Sequence, residues 1–216
     1  MKSQRTKILI LGAGSLAADI ADLIEDTPQY QLMGFVVDQP PYEPGMTLMN
    51  KPVFWVDALI EFDTSVKAVC GLTKNQKRNL ISKVEAFGID LIQFIHPSSR
   101  ISKSSSLGKG VVINSGVQIA AKVQLGDFVY VNRGCLIGHD TSINSYSVLS
   151  PGVNIGGNVS VGEGTYVGIG AVILERIRIG DGCFVCAGSV VTRNIGDREK
   201  VVGMPAQVVE RNIEAY

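Results

Sequence analysis

Of the two histidines in the 216 residues, His139 stands where an imidazole is free to do chemistry. Imidazole is the usual proton acceptor near neutral pH when an amine or hydroxyl attacks a carbonyl, which makes His139 the candidate general base. The other, His96, lies in Ile95-His96-Pro97-Ser98, where proline and serine signal a turn, and reads as structural. A second chemical signal is Gly12-Ala13-Gly14-Ser15-Leu16-Ala17, between an apolar strand (Lys7 to Leu11) and a helix running to about Ile24. Glycines there let a phosphate reach backbone N–H groups at a helix N-terminus, and Asp38 stands where an acid would take a ribose. Lys74, Lys77 and Arg78 form a basic cluster that suits a diphosphate, or else a solvated helix face. The four cysteines lie in apolar stretches without the spaced partners zinc requires, so they read as small reduced core residues, and no metal is expected.

What positions His139 is a repeat. From Ile101 to Val191, every sixth residue is Ile, Leu or Val, sixteen positions in succession. Four residues after each aliphatic comes a small or β-branched residue, as at Val111, Val117, Cys135 and Thr165. It precedes the next aliphatic by two, so both face the same side of a short strand. Glycine or asparagine recurs just after the aliphatic and again two later, and both positions are expected to take positive φ at a sharp corner. Three such sides close an 18-residue triangular coil, and successive coils stack at roughly 4.8 Å. His139 is the third residue of its hexad, on an outward-facing corner. Ala121 and Gly157, 18 residues to either side, leave room beside the ring.

Residues 1–94 lack the six-residue phase. Strands at Lys7–Leu11, Gln31–Val37, Val66–Cys70 and Asp90–Ile95, with a helix from Asn75 to Phe87, describe a small parallel α/β sheet of Rossmann-like type. Gln39 to Lys51 reads as a surface loop. A full dinucleotide fold needs two such halves and this region supplies one, so a single nucleotide with a diphosphate fits better than NAD or FAD. The same glycines also serve a loop that merely lets helix and strand pack closely.

The unbroken hexads resemble the hexapeptide-repeat acyltransferases. Joined to this N-terminal domain, they are similar to the sialic acid O-acetyltransferase and nucleotide-aminosugar N-acetyltransferase (NeuD/PglD-like) group. That resemblance implies a left-handed parallel β-helix over residues 95–216, a nucleotide-sugar-binding domain over 1–94, and homotrimers that take acetyl-CoA between adjacent subunits. It implies contacts to the nucleotide sugar from Gly12, Gly14, Ser15 and Asp38, with Lys74 as a further candidate. In such enzymes a histidine followed by an acid is the general base, which Gly138-His139-Asp140 matches; Asp140 would orient the ring, or is a solvated corner residue. Asn132 matches a position near the active site, but it sits on a preceding corner, so it would meet His139 only across a subunit boundary. Gly157, with Gly156 beside it, matches a position whose backbone faces the thioester. Val202-Gly203-Met204-Pro205-Ala206 resembles a terminating motif near the adenine of CoA, where Gly203 and Pro205 end the coil.

Twenty basic residues balance twenty acidic ones, so no general electrostatic case exists for nucleic acid or an anionic membrane. No apolar run approaches a membrane span, and a cytoplasmic protein is expected. The leading expectation is N-acetylation of a nucleotide-linked amino sugar for bacterial surface glycan. O-acetylation of a sialic acid is the second reading, and a non-catalytic nucleotide-sugar-binding trimeric scaffold the third.

Overall fold

Ile8, Leu9, Ile10 and Leu11 are all fully buried, which requires strand β1 (Thr6–Leu11) to be covered on both faces. In the computed structural model, which describes residues 5–73 and 77–214, β1 lies between β2 (Tyr30–Val37) and β5 (Lys67–Cys70). The sheet order is β3-β4-β2-β1-β5, with β4 (Lys51–Trp55) parallel to β2 and β3 (Thr47–Leu48) antiparallel to β4. Helix α1 (Ser15–Glu25) buries Ala17, Ile20, Ala21 and Ile24, one apolar stripe at helical spacing. Helix α2 (Lys77–Ala86) buries Leu80, Ile81 and Val84 in the same way.

Two expectations for this region change. The expected surface loop Gln39 to Lys51 contains β3 and leads into β4; Pro52 sits at the hairpin with β3, opposite Thr47, where a missing N–H is tolerated. No fourth strand runs from Asp90 to Ile95. Leu91 makes one bridge to Ala68, while Phe94–Ile95 pairs with Val112–Ile113. The reason is phase: Ile95 is one hexad before Ile101 and belongs to the solenoid. The chain accordingly divides into units 1–93 and 94–216.

The second unit is a three-sided parallel coil. Two-residue strands stack in register with those 18 residues on, as Gln118–Ile119 does with Leu136–Ile137. Ile113, Val131, Leu149, Val167 and Val185 form one fully buried column. Buried hydroxyls serve the corners: Thr165 Oγ1 donates to the Gly180 carbonyl (2.8 Å) and accepts from the Cys183 N–H (3.1 Å). Ser147 repeats the motif with Gly162 and Thr165.

The two glycine positions have different causes. The later one has positive φ, as at Gly116 (69°) and Gly134 (68°). The earlier one does not; glycine is needed there because coils approach closely. A Cβ on Gly138 would lie 2.5 Å from the Gly156 carbonyl carbon. The tail also differs from expectation. Glu199–Gly203 pairs in parallel with Phe184–Val185, and Ala206–Arg211 returns antiparallel to it. A hairpin thus covers the last rung, with Pro205 in its turn. Cys70, Cys135 and Cys183 are buried and free, whereas Cys186 is only half-buried.

Candidate active site

His139 leaves the coil at a corner, with 61% of its side chain exposed. Its Nδ1 lies 2.8 Å from Asp140 Oδ2, so one ring nitrogen is held by a carboxylate. The other faces the next coil: a Cβ on Gly157 would lie 2.8 Å from Nε2 and 2.9 Å from Cε1. Only glycine leaves room for the imidazole there. The backbone is fixed from above, since the Asn158 N–H donates to the His139 carbonyl (2.8 Å). It is fixed from within by Thr141 Oγ1, which donates to Gly156 O (3.1 Å) and accepts from the Val159 N–H (3.3 Å). On the side opposite Gly157, Lys122 Nζ stands 4.0 Å from Asp140 Oδ1.

The backbone beside the ring is open as well. At several positions on the other two corners, the N–H two residues after the aliphatic is taken by a side chain: Lys109 by Asp127, Arg133 by Asn132, Asp127 by Ser145. The Gly157 N–H has no acceptor among the described residues. The corner therefore presents an imidazole anchored at Nδ1 and an open amide donor on the adjacent coil, the complement a base and an oxyanion donor require. A cavity of about 860 Å³, lined in part by Gly138, Ala121, Gln118 and Leu136, opens beside it.

Not every expected residue gathers here. Asn132 is on another corner, where its Oδ1 accepts from Asn114 Nδ2 (3.3 Å) and the Arg133 N–H (2.8 Å). Gly203 and Pro205 are at the C-terminal end of the stack, the Gly203 N–H reaching Ser189 Oγ at 3.3 Å. Gly156 donates its N–H to Ile173 O, as a rung residue should. His96 is held in its turn by Ser98, whose N–H donates to Nδ1 (3.2 Å). Among the described residues no cluster of His, Cys, Asp and Glu could hold a metal ion, and no helix is long and apolar enough to cross a membrane.

In the first unit, Gly12, Ala13 and Gly14 line a cavity of about 280 Å³ with Asp38, Pro40, Met46, Leu72 and Leu80. Gly12 has φ +98°, and a Cβ there would meet Leu72 at 2.6 Å; Gly14 precedes α1 with open space where its Cβ would be. Ser15 begins α1 but is not among the residues lining the cavity. Asp38 is almost wholly covered: Lys83 Nζ (2.9 Å) and Asn79 Nδ2 (3.1 Å) both donate to its Oδ2. It joins the end of β2 to α2 as well as lining the cavity. Lys74 lies outside the described residues. Lys77 is buried, which excludes the solvated-face reading for it, and burial pulls its ammonium down to about 8; Arg78 is exposed. Sequence reasoning missed Lys122, Asn79 and Lys83. Of these, only Lys122 carried a signal, its 18-residue offset from Asp140.

Comparison with known proteins agrees with this fold. A model of the PglD N-terminal domain matches residues 7–84, and one of the bacterial transferase hexapeptide (six repeats) matches residues 158–193. PerB from Caulobacter crescentus, solved with CoA and GDP-perosamine, superposes with a TM-score of 0.85 at 28% identity, over 94% of this chain and 97% of its own. A perosamine N-acetyltransferase variant from that organism, a histidine replaced by asparagine, also with CoA and GDP-perosamine, gives 0.85 at 27% identity over the same shares. WeeI from Acinetobacter baumannii AYE shares the fold, with a TM-score of 0.85 at 24% identity over 94% of this chain and 100% of its own. No curated protein sequence matches.

Fold and repeats together define a hexapeptide-repeat acyltransferase, its solenoid a left-handed parallel β-helix. Within that class, the chain resembles the NeuD/PglD-like sugar acyltransferases, in which an N-terminal domain of this kind precedes the hexapeptide repeats.

Proposed function

We propose that this protein is an acetyl-CoA-dependent N-acetyltransferase acting on a nucleotide-linked amino sugar, with His139 as general base. The observation that carries it is the anchored, exposed imidazole against Gly157. His139 Nε2 takes a proton from the acceptor amine as its nitrogen attacks the thioester carbonyl. The Gly157 N–H stabilises the oxygen on which negative charge develops. As the C–S bond breaks, the imidazolium returns its proton to the leaving thiolate. Asp140 keeps the Nδ1–H tautomer and offsets the transient ring charge.

The bound ligands of the Caulobacter structures support CoA as donor and a nucleotide sugar as acceptor. The 280 Å³ cavity at the glycine loop is the natural seat for the nucleotide, with Gly12 and Gly14 admitting a phosphate to backbone amides. A homotrimer brings a partner's corner, with its Asn132, to the His139 corner, and Gly203 and Pro205 lie at the adenine end of CoA. The enzyme works in the cytoplasm, where acetyl-CoA is available, on precursors of bacterial surface glycan.

The test is thiol release from acetyl-CoA with UDP-, GDP- and dTDP-linked amino sugars beside free sialic acids. Turnover of a nucleotide-linked amine that His139→Ala abolishes supports the proposal. Turnover of a free sialic acid alone would replace N- with O-acetylation. Silence with every acceptor would overturn both.

A further inference from the structure

The three corners of the coil are not built alike. Immediately before the inward-facing small residue, most corners take a left-handed conformation, and one corner meets this with glycine at Gly116, Gly134, Gly152, Gly170 and Gly188. The His139 corner uses Lys122, Asp140, Asn158 and Arg176, with φ between 55° and 61°. Left-handed backbone is costly for a residue with a Cβ, and Lys gains none of the local hydrogen bonding that lets Asp and Asn tolerate it. Such strain collects where a side chain is needed at that place.

Lys122 and Asp140 are 18 residues apart, hence directly stacked. The Lys122 N–H is held by Ser104 Oγ (3.1 Å), which fixes where its side chain starts. Its Nζ lies 4.0 Å from Asp140 Oδ1, while Asp140 Oδ2 faces His139 Nδ1 at 2.8 Å. The carboxylate thus has one oxygen for the ammonium and one for the ring.

We infer that Lys122 is a positioning residue for the reaction: by holding Asp140 Oδ1 it turns Oδ2 toward the imidazole and keeps the proton on Nδ1, leaving Nε2 as the base. This rests on the reading of His139 as base, but it has an independent readout. With only two histidines in the chain, ¹⁵N-histidine NMR resolves the His139 ring, and Lys122→Met shifts its neutral form from the Nδ1–H toward the Nε2–H tautomer. The pair is exposed, so the kinetic effect is modest: kcat falls about threefold with both KM values unchanged. Lys122→Arg restores at least half of the loss, and Lys122→Met has no further effect once Asp140→Asn is present. An unchanged tautomer ratio in Lys122→Met overturns the inference whether or not the acceptor has been found. So does an equal loss in the Asp140→Asn background, or a rise in KM for acetyl-CoA, which would make Lys122 a phosphate ligand. Inactivity of the unmodified protein toward every acceptor, with the tautomer shift present, would instead overturn the proposed activity alone.

Discussion

The imidazole of His139 occupies the space that a side chain on Gly157 would take: a Cβ there would fall 2.8 Å from Nε2. Gly157→Ala must therefore push the ring aside, since an exposed side chain yields before the stacked coil does. Gly157 has no positive φ, so alanine adds no backbone strain. The expected result is a fall in kcat of about 100-fold, the lower end of what a general base contributes, with thermal midpoint within about a degree of wild type. Steady-state kinetics beside a melting curve decide it; a large loss of stability would mean that glycine serves the coil instead.

Asp140 sits at φ +55°, a conformation that Asn shares readily and Ala does not. Asp140→Asn is expected to retain stability while lowering kcat about tenfold or more, because an amide cannot offset the imidazolium. Asp140→Ala should show the same catalytic loss plus about 1 kcal/mol of destabilisation from left-handed strain. Urea unfolding separates the two variants; equal stabilities would argue that strain at this corner is negligible.

How much of this was legible follows from which residues obey a period. The solenoid was, because Ile101 to Val191 keep one phase, and with it His139 on a corner between Ala121 and Gly157. Lys122 was hidden by distance along the chain, although the 18-residue coil that predicts the Gly157 contact predicts it too. The reason for Gly138 was misread, because close approach and positive φ select the same residue. In the first unit no period links distant positions. That Lys83 and Asn79 close on Asp38, and that Lys77 turns inward, are properties of tertiary packing that local sequence does not encode.

The hydroxyl ladder inside the coil has its own consequence. Thr165 Oγ1 is fully buried and bonds to both Gly180 O and the Cys183 N–H. Thr165→Val keeps the volume but strands a carbonyl and an amide that water cannot reach, costing about 2–3 kcal/mol. Denaturant unfolding should show that loss with kcat unchanged. A loss below about 0.5 kcal/mol would mean the corner relaxes enough to repair the bonds.

Lys77 makes stability depend on alkaline pH. Its folded pKa of about 8 is depressed from the ordinary 10.5, first by burial, with Arg78 adding to the effect and Cys70 opposing it. Between those values the unfolded chain binds more protons than the folded one, so this lysine's contribution to stability rises with pH from about 8 to about 10.5. Below pH 8 the burial penalty is constant, at most about 3 kcal/mol. Cys135, raised to about 11 by burial, acts in the opposite direction across the unfolded thiol range, as do Cys70 and Cys183. The wild-type curve alone is therefore ambiguous, and the difference from Lys77→Met isolates the lysine. The variant should be the more stable of the two at pH 7, with its advantage shrinking steadily through pH 8 to 10.5. A difference that stays constant over that range would show that Lys77 keeps its proton in the folded chain.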